Sequence, residues 1–324
     1  MKKTLKKFLH TYQEFNKKDW ATFLIGFFLI MVYLCIIMWD WSDKSFSTWQ
    51  VFNKIYKDDP DFFEKINQMA NSVSSHDEKS AIYRATLPNA VLILWGGTSY
   101  WFTFICNVLM AISILLFPFF KESKKAQKFY FAGIVYIIIV VLVFWFGWLT
   151  DKTIGGNFSR NDFYRTLVWH AIAPFFGIIT LIWERKRIRI STQVIWSYSI
   201  FPICYLIFLL LIYIFGYKFK NFTSADFLPN SENQNHPNVI PNEFNTELDR
   251  GIAIYSIISF WNPLGYTGDN FYLKSVLIII IVLSSFLTAP TIGFILRKVL
   301  RILQPGQKKL PPLRFSAQKK TKKS

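Results

Sequence analysis

Six runs of 18 to 24 residues contain almost no charge, and no other feature constrains this chain as strongly. They are Trp20–Met38, Tyr100–Phe120, Phe129–Leu149, Thr166–Trp183, Val194–Tyr217 and Leu273–Leu296, and Lys274 at the edge of the last is their only ionised side chain. A helix rises 1.5 Å per residue, so about 20 apolar residues cross the ~30 Å hydrocarbon layer of a bilayer. A chain with six such runs is expected to be all-α, a polytopic membrane helical bundle with six transmembrane helices. The first run follows a basic leader, as a signal peptide does. Its residues are bulky throughout and no small-residue cleavage site follows, so it reads as a retained anchor.

The charges sort by span. The chain carries 37 Lys+Arg against 20 Asp+Glu, a formal net charge of +17. The leader, the turns after the second and fourth runs, and the C-terminal tail hold 24 of the basic residues and only four acidic ones, Glu14, Asp19, Glu122 and Glu184. One side is thus about +20 and the other about −3. By the positive-inside rule the arrangement is N-in and C-in, with both termini cytoplasmic. Phe-, Ile-, Lys- and Asn-rich usage points to a bacterial plasma membrane. The excess charge therefore reads as orientation and as attraction to anionic lipid, and no nucleic-acid partner is expected. The expected divisions are a basic leader (1–19), a six-span domain (20–299) with long outer loops at about 39–99 and 218–272, and a basic, disordered tail (300–324).

Polar groups inside hydrocarbon are costly, so they mark where chemistry can sit. Of four histidines, His10, His76 and His236 lie in polar segments, while His170 lies a few residues into the fourth run. Ser99, just ahead of the second run, and Thr103 and Asn107 within it are spaced four apart and form one stripe on a helix face. Given the orientation, Thr103 and His170 lie at one depth, near the outer leaflet. A neutral imidazole can take a hydroxyl proton, which would make Thr103 a nucleophile with Asn107 orienting the ring or supporting an oxyanion. Taken singly, the stripe and the histidine also read as helix packing. The segment FWNPLGYTGD (260–269), with Trp261, Asn262 and Pro263, reads as a rigid aromatic turn ahead of the sixth run. Its expected roles are to cap a cavity, position an acyl chain or anchor the helix. Three cysteines in apolar runs indicate no disulfide framework, and one span histidine without carboxylates indicates neither metal nor other cofactor.

These residues carry a resemblance. Trp101–Phe102–Thr103–Phe104 with Asn107, then Trp169–His170 with Pro174, then Trp261–Asn262–Pro263–Leu264, resemble the androgen-induced protein/FAR-17a family, in its bacterial membrane-protein branch. The resemblance covers about 200 of the 324 residues. It implies six spans and hydrolysis of fatty acid esters of hydroxy fatty acids, with Thr103 as nucleophile and His170 as its base. Ser99, Tyr100, Asn107, Pro174, Trp261, Asn262 and Pro263 would support the pair or position substrate. The chain departs from the family pattern at Asn262, where an aromatic residue is usual, and at Cys106, where the animal members carry Asp.

The leading expectation is an intramembrane threonine-type hydrolase of a lipid ester, with membrane lipids as partners and an acyl ester as substrate. Two other readings stay open. One is a non-enzymatic membrane protein, either a transporter of a neutral solute or lipid, kept in view by Pro174 and Pro202, or a structural and interaction protein. The other is a lipid-modifying transferase using the same hydroxyl and imidazole.

Overall fold

The computed structural model describes residues 14–95, 101–150, 160–219 and 247–307. The described residues are 79% helical and include no strand; one isolated parallel bridge joins Arg189 and Leu303. Six helices among the described residues are long and apolar enough to cross a membrane. In chain order the elements are α1 (Lys17–Asp58), α2 (Phe62–Asn71), α3 (His76–Thr86), α4 (Ala90–Trp95), α5 (Phe102–Phe120) and α6 (Lys124–Thr150). Then follow α7 (Arg160–Leu167), a π-helical turn (Val168–Ile172), α8 (Ala173–Glu184), α9 (Thr192–Ser197), α10 (Ile200–Gly216) and α11 (Phe271–Val299). The spans are α1, α5, α6, α7 to α8 through the π turn, α9 with α10, and α11. All six apolar runs thus fall on helices. The multi-pass membrane character expected from them holds.

α1 departs from expectation in length. It starts at a capping box: Asn16 Oδ1 accepts from the Lys18 and Asp19 amides at 2.9 and 3.1 Å, and Asp19 Oδ2 accepts from the Asn16 amide at 3.0 Å. It then continues for 42 residues, well past Met38. No Gly or Pro occurs between Phe27 and Asp59, and Pro60 follows the cap at Asp59. Much of the segment expected as an outer loop at 39–99 is accordingly helical, as the end of α1 and as α2, α3 and α4. Tyr83 of α3 donates to Asn67 of α2 at 2.9 Å, and the Trp41 indole donates to the Ala90 carbonyl at 3.0 Å.

The chain divides into two compact units, Met1–Phe119 with Val140–Thr180, and Phe120–Ile139 with Leu181–Ser324. In the first, Gly26 of α1 is buried against α5, where a Cβ would come within 2.4 Å of the Leu115 backbone nitrogen. Gly177 of α8 likewise makes room for the Met110 thioether. Small residues here allow close helix approach, the main source of packing in a lipid solvent.

Proline shapes both units in the same way. A proline inside a helix has no N–H for the carbonyl four residues earlier, and hydrocarbon offers no water in its place. Pro174 leaves the carbonyl of His170 unserved, and the Trp145 indole donates to it at 3.1 Å. In the second unit Pro202 leaves Tyr198, whose carbonyl accepts from the Tyr136 hydroxyl at 3.1 Å. Pro290 leaves Phe286, whose carbonyl accepts from the Ser199 hydroxyl at 2.6 Å. Each of these three carbonyls is taken by a side chain of another helix or of the turn between α9 and α10.

The second unit also holds a basic end. Gln127 donates to the Lys121 carbonyl at 2.8 Å and accepts from the Arg189 amide at 2.9 Å, while Ile190 donates to the Leu303 carbonyl at 3.0 Å. Arg297 reaches the Ile190 carbonyl and the Thr192 hydroxyl at 3.3 and 3.2 Å. Glu184, fully buried, pairs with Arg187 at 3.0 Å.

Candidate active site

Thr103 lies in the first turn of α5 and His170 at the centre of the π turn, both in the first unit. Thr103 Oγ1 is 3.5 Å from His170 Nε2, the outer limit of a hydrogen bond. Both side chains are half-buried. His170 Nδ1 stands 2.9 Å from the Thr166 carbonyl. A carbonyl only accepts, so Nδ1 carries the proton. In the neutral ring Nε2 then presents a lone pair toward the Thr103 hydroxyl. This is the tautomer a general base requires, held here by a backbone carbonyl rather than by a carboxylate. Phe144 stacks on the imidazole with ring centroids 3.7 Å apart at 16°. That face lies against the charge the ring takes up when it accepts a proton.

The π turn explains how His170 is aimed. The amide of Ala173 bonds the Val168 carbonyl, five residues back, and not that of Trp169. Pro174 has no N–H for His170. Two consecutive carbonyls thereby lose their ordinary i+4 donors, and two side chains replace them. Asn107 Nδ2 donates to the Trp169 carbonyl at 3.2 Å, and Trp145 Nε1 to the His170 carbonyl at 3.1 Å. π turns of this kind recur at functional sites because they re-aim one side chain at a local cost.

Asn107, fully buried, has both amide protons and its oxygen engaged here: one proton goes to the Trp169 carbonyl. Its second amide proton goes to the Thr103 carbonyl at 2.8 Å, and its oxygen accepts from the Tyr33 hydroxyl at 2.8 Å. Neither amide proton is directed at the imidazole or toward an oxyanion in this arrangement. Asn107 ties the backbone of Thr103 to that of Trp169, the neighbour of His170. Tyr33 also stacks on Trp169, centroids 4.9 Å apart at 14°.

About one and a half helical turns before His170, Arg165 of α7 is buried in a cluster of charge. Its guanidinium pairs with Asp43 at 2.9 Å, with Asp40 at 3.6 Å and with Asp162, and lies 5.5 Å from the centre of the Trp39 ring. The acidic residues Asp40 and Asp43, set among tryptophans directly after the first apolar run, are the sequence signal that could have found it. Tyr33, Phe144 and Trp145 had none, since an aromatic residue in an apolar span looks like any other. Pro174 was noted, and its spacing of four from His170 is what points to the freed carbonyl.

Of the remaining expected site residues, Ser99 and Tyr100 lie outside the described residues. Trp261, Asn262 and Pro263 belong to the second unit. There Ser259 Oγ caps the turn, accepting from the Trp261 and Asn262 amides at 3.1 and 2.8 Å. Leu264 and Gly265 follow with φ of 54° and 78°. Glycine adopts that region freely, and leucine does so only when its surroundings hold it there. Lys274 lies 4.9 Å from the centre of the Trp261 ring. Among the described residues no three His, Cys, Asp or Glu side chains come together as a metal-binding group.

Comparison with protein-family models, with curated proteins and with solved structures found no match in any of the three. The functional reading therefore rests on the geometry of the Thr103–His170 pair.

Proposed function

We propose that this chain is an intramembrane hydrolase of lipid esters, with Thr103 as nucleophile and His170 as general base. The observation that carries the reading is the 3.5 Å approach of Thr103 Oγ1 to a His170 Nε2 whose partner nitrogen is tied to the Thr166 carbonyl. An unliganded pair is commonly looser than the reacting one. In the reaction Thr103 Oγ forms a bond to the ester carbonyl carbon while its proton passes to Nε2. The tetrahedral adduct collapses, the alkoxide leaves with the proton from Nε2, and an acyl-threonine remains. Water then attacks the acyl carbon with His170 again taking the proton, which releases the fatty acid and restores the hydroxyl.

Both termini are cytoplasmic in this proposal, supported by the segregation of 24 basic residues to alternate connections. The pair then faces the outer leaflet of a bacterial plasma membrane. A long acyl chain reaches it without leaving hydrocarbon, and anionic lipid meets the basic connections on the other side. The resemblance to the androgen-induced protein/FAR-17a family supports the same assignment of roles. A transporter is supported less well, because the carbonyls that Pro174 and Pro202 leave open are capped by Trp145 and Tyr136. Capped in that way, these prolines supply no unwound backbone of the kind that binds solute.

The test is turnover of long-chain carboxylic esters by purified protein in detergent or nanodiscs. Wild type should release fatty acid, while folded Thr103→Ala and His170→Ala should fall to the uncatalysed rate. Equal turnover by all three would sink the proposal.

A further inference from the structure

The π turn at His170 is held by two side chains that do not belong to the reacting pair. A regular α-helix over 160–184 would have Ala173 donate to Trp169, and Pro174 would still leave His170 without a donor. Instead the Ala173 amide is drawn to Val168. The Trp169 and His170 carbonyls point to Asn107 and Trp145, on α5 and α6. The turn thus holds one extra residue relative to an α-helix. Closing it would rotate the two halves of the span by one residue, about 100°, relative to each other. His170 sits at the centre of the turn, so closing it would swing Nε2 away from Thr103.

We infer that Trp145 and Asn107 are positioning residues, whose donors to the His170 and Trp169 carbonyls hold the π turn open and aim His170 Nε2 at Thr103. This inference rests on the Thr103–His170 pair being the reactive one. The division of labour follows from geometry. Asn107 fixes the turn to the helix that carries Thr103, since one amide group bonds both the Thr103 and the Trp169 carbonyls. Tyr33 fixes which way that amide faces, because its hydroxyl occupies Oδ1 and leaves both N–H groups for the carbonyls. Trp145 supplies what Pro174 withholds. Its α6 neighbour Phe144 covers the imidazole face, so one stretch of α6 sets both the backbone and the ring of His170.

Two variants test the role of Trp145. Trp145→Phe keeps an aromatic ring and removes the N–H. Pro174→Ala restores a backbone N–H to the His170 carbonyl and lets the turn close. The first readout is the 15N spectrum of histidine-labelled protein in nanodiscs, with the His170 signals assigned by their loss in His170→Gln. Wild type should show Nδ1 protonated and Nε2 bare, and Trp145→Phe should lose that tautomer or mix it with the other. The second readout is the rate of labelling by a long-chain fluorophosphonate, expected to fall about tenfold or more in Trp145→Phe, since small misplacements of a base are costly. Pro174→Ala should slow labelling too, and adding Trp145→Phe to it should slow labelling no further, because the indole donor is then redundant. Wild-type rate and spectrum in Trp145→Phe, or losses that multiply in the double variant, would overturn the inference. If wild type itself is not labelled, the hydrolase reading fails, and the His170 nitrogen signals still decide whether Trp145 sets the ring.

Discussion

Thr103 and His170 are 67 positions apart in sequence, yet Oγ1 of one stands 3.5 Å from Nε2 of the other. The contact is braced from behind, because the Asn107 amide bonds the carbonyl of Thr103 and the carbonyl next to His170. Pairing a hydroxyl with the bare nitrogen of a fixed tautomer is what a nucleophile and its base require.

The hydroxyl rather than the methyl group of Thr103 should matter. Thr103→Ser keeps a hydroxyl in the same turn and should retain ester turnover within about tenfold of wild type. Thr103→Val keeps the shape, removes the oxygen and should abolish turnover without lowering thermal stability. Kinetic assay of both variants, with unfolding monitored in the same detergent, separates the two outcomes.

Asn107→Leu should destabilise the first unit. It leaves the Trp169 carbonyl and the buried Tyr33 hydroxyl without their partners, and each orphaned buried group costs about 1–3 kcal/mol. Its thermal midpoint should fall clearly below that of wild type, and Tyr33→Phe should fall less because it orphans only the Asn107 oxygen.

Arg165 is the buried hub of three carboxylates. Arg165→Met should lower stability by about 1–3 kcal/mol, because Asp43 and Asp162 keep their charge and lose their counter-ion while Asp40 keeps Lys44 at 2.7 Å. Asp43→Asn should cost less, since Arg165 retains two partners. Thermal unfolding of the two variants ranks them.

The proline rule predicts coupling in the second unit. Ser199→Ala leaves the Phe286 carbonyl without the donor that replaces the one missing at Pro290, at a cost of about 1 kcal/mol. In a Pro290→Ala background a backbone N–H serves that carbonyl, and the same Ser199→Ala change should cost almost nothing. A double-mutant cycle on the unfolding midpoint measures the difference.

The six spans were legible because hydropathy reports directly on the solvent that surrounds a helix. The length of α1 was not. Hydropathy stops near Met38, where the apolar run ends, whereas the backbone stops where Asp59 and Pro60 stop it. The stripe of Thr103 and Asn107 was legible from a spacing of four, and His170 from its isolation among apolar residues. Their juxtaposition was implied only by the family resemblance, since periodicity and hydropathy do not fix which face of one span meets which face of another. The π turn leaves no periodic trace either. Its one sequence signature is Pro174 four residues after His170, and the donor that answers it, Trp145, is one of 12 tryptophans in the chain.

The location of a covalent adduct tests the central claim most directly. Purified protein treated with a long-chain fluorophosphonate, digested and analysed by mass spectrometry should carry the phosphonyl group on Thr103, and His170→Ala should carry almost none. An adduct on another residue, or equal modification of Thr103 with and without His170, would contradict the account.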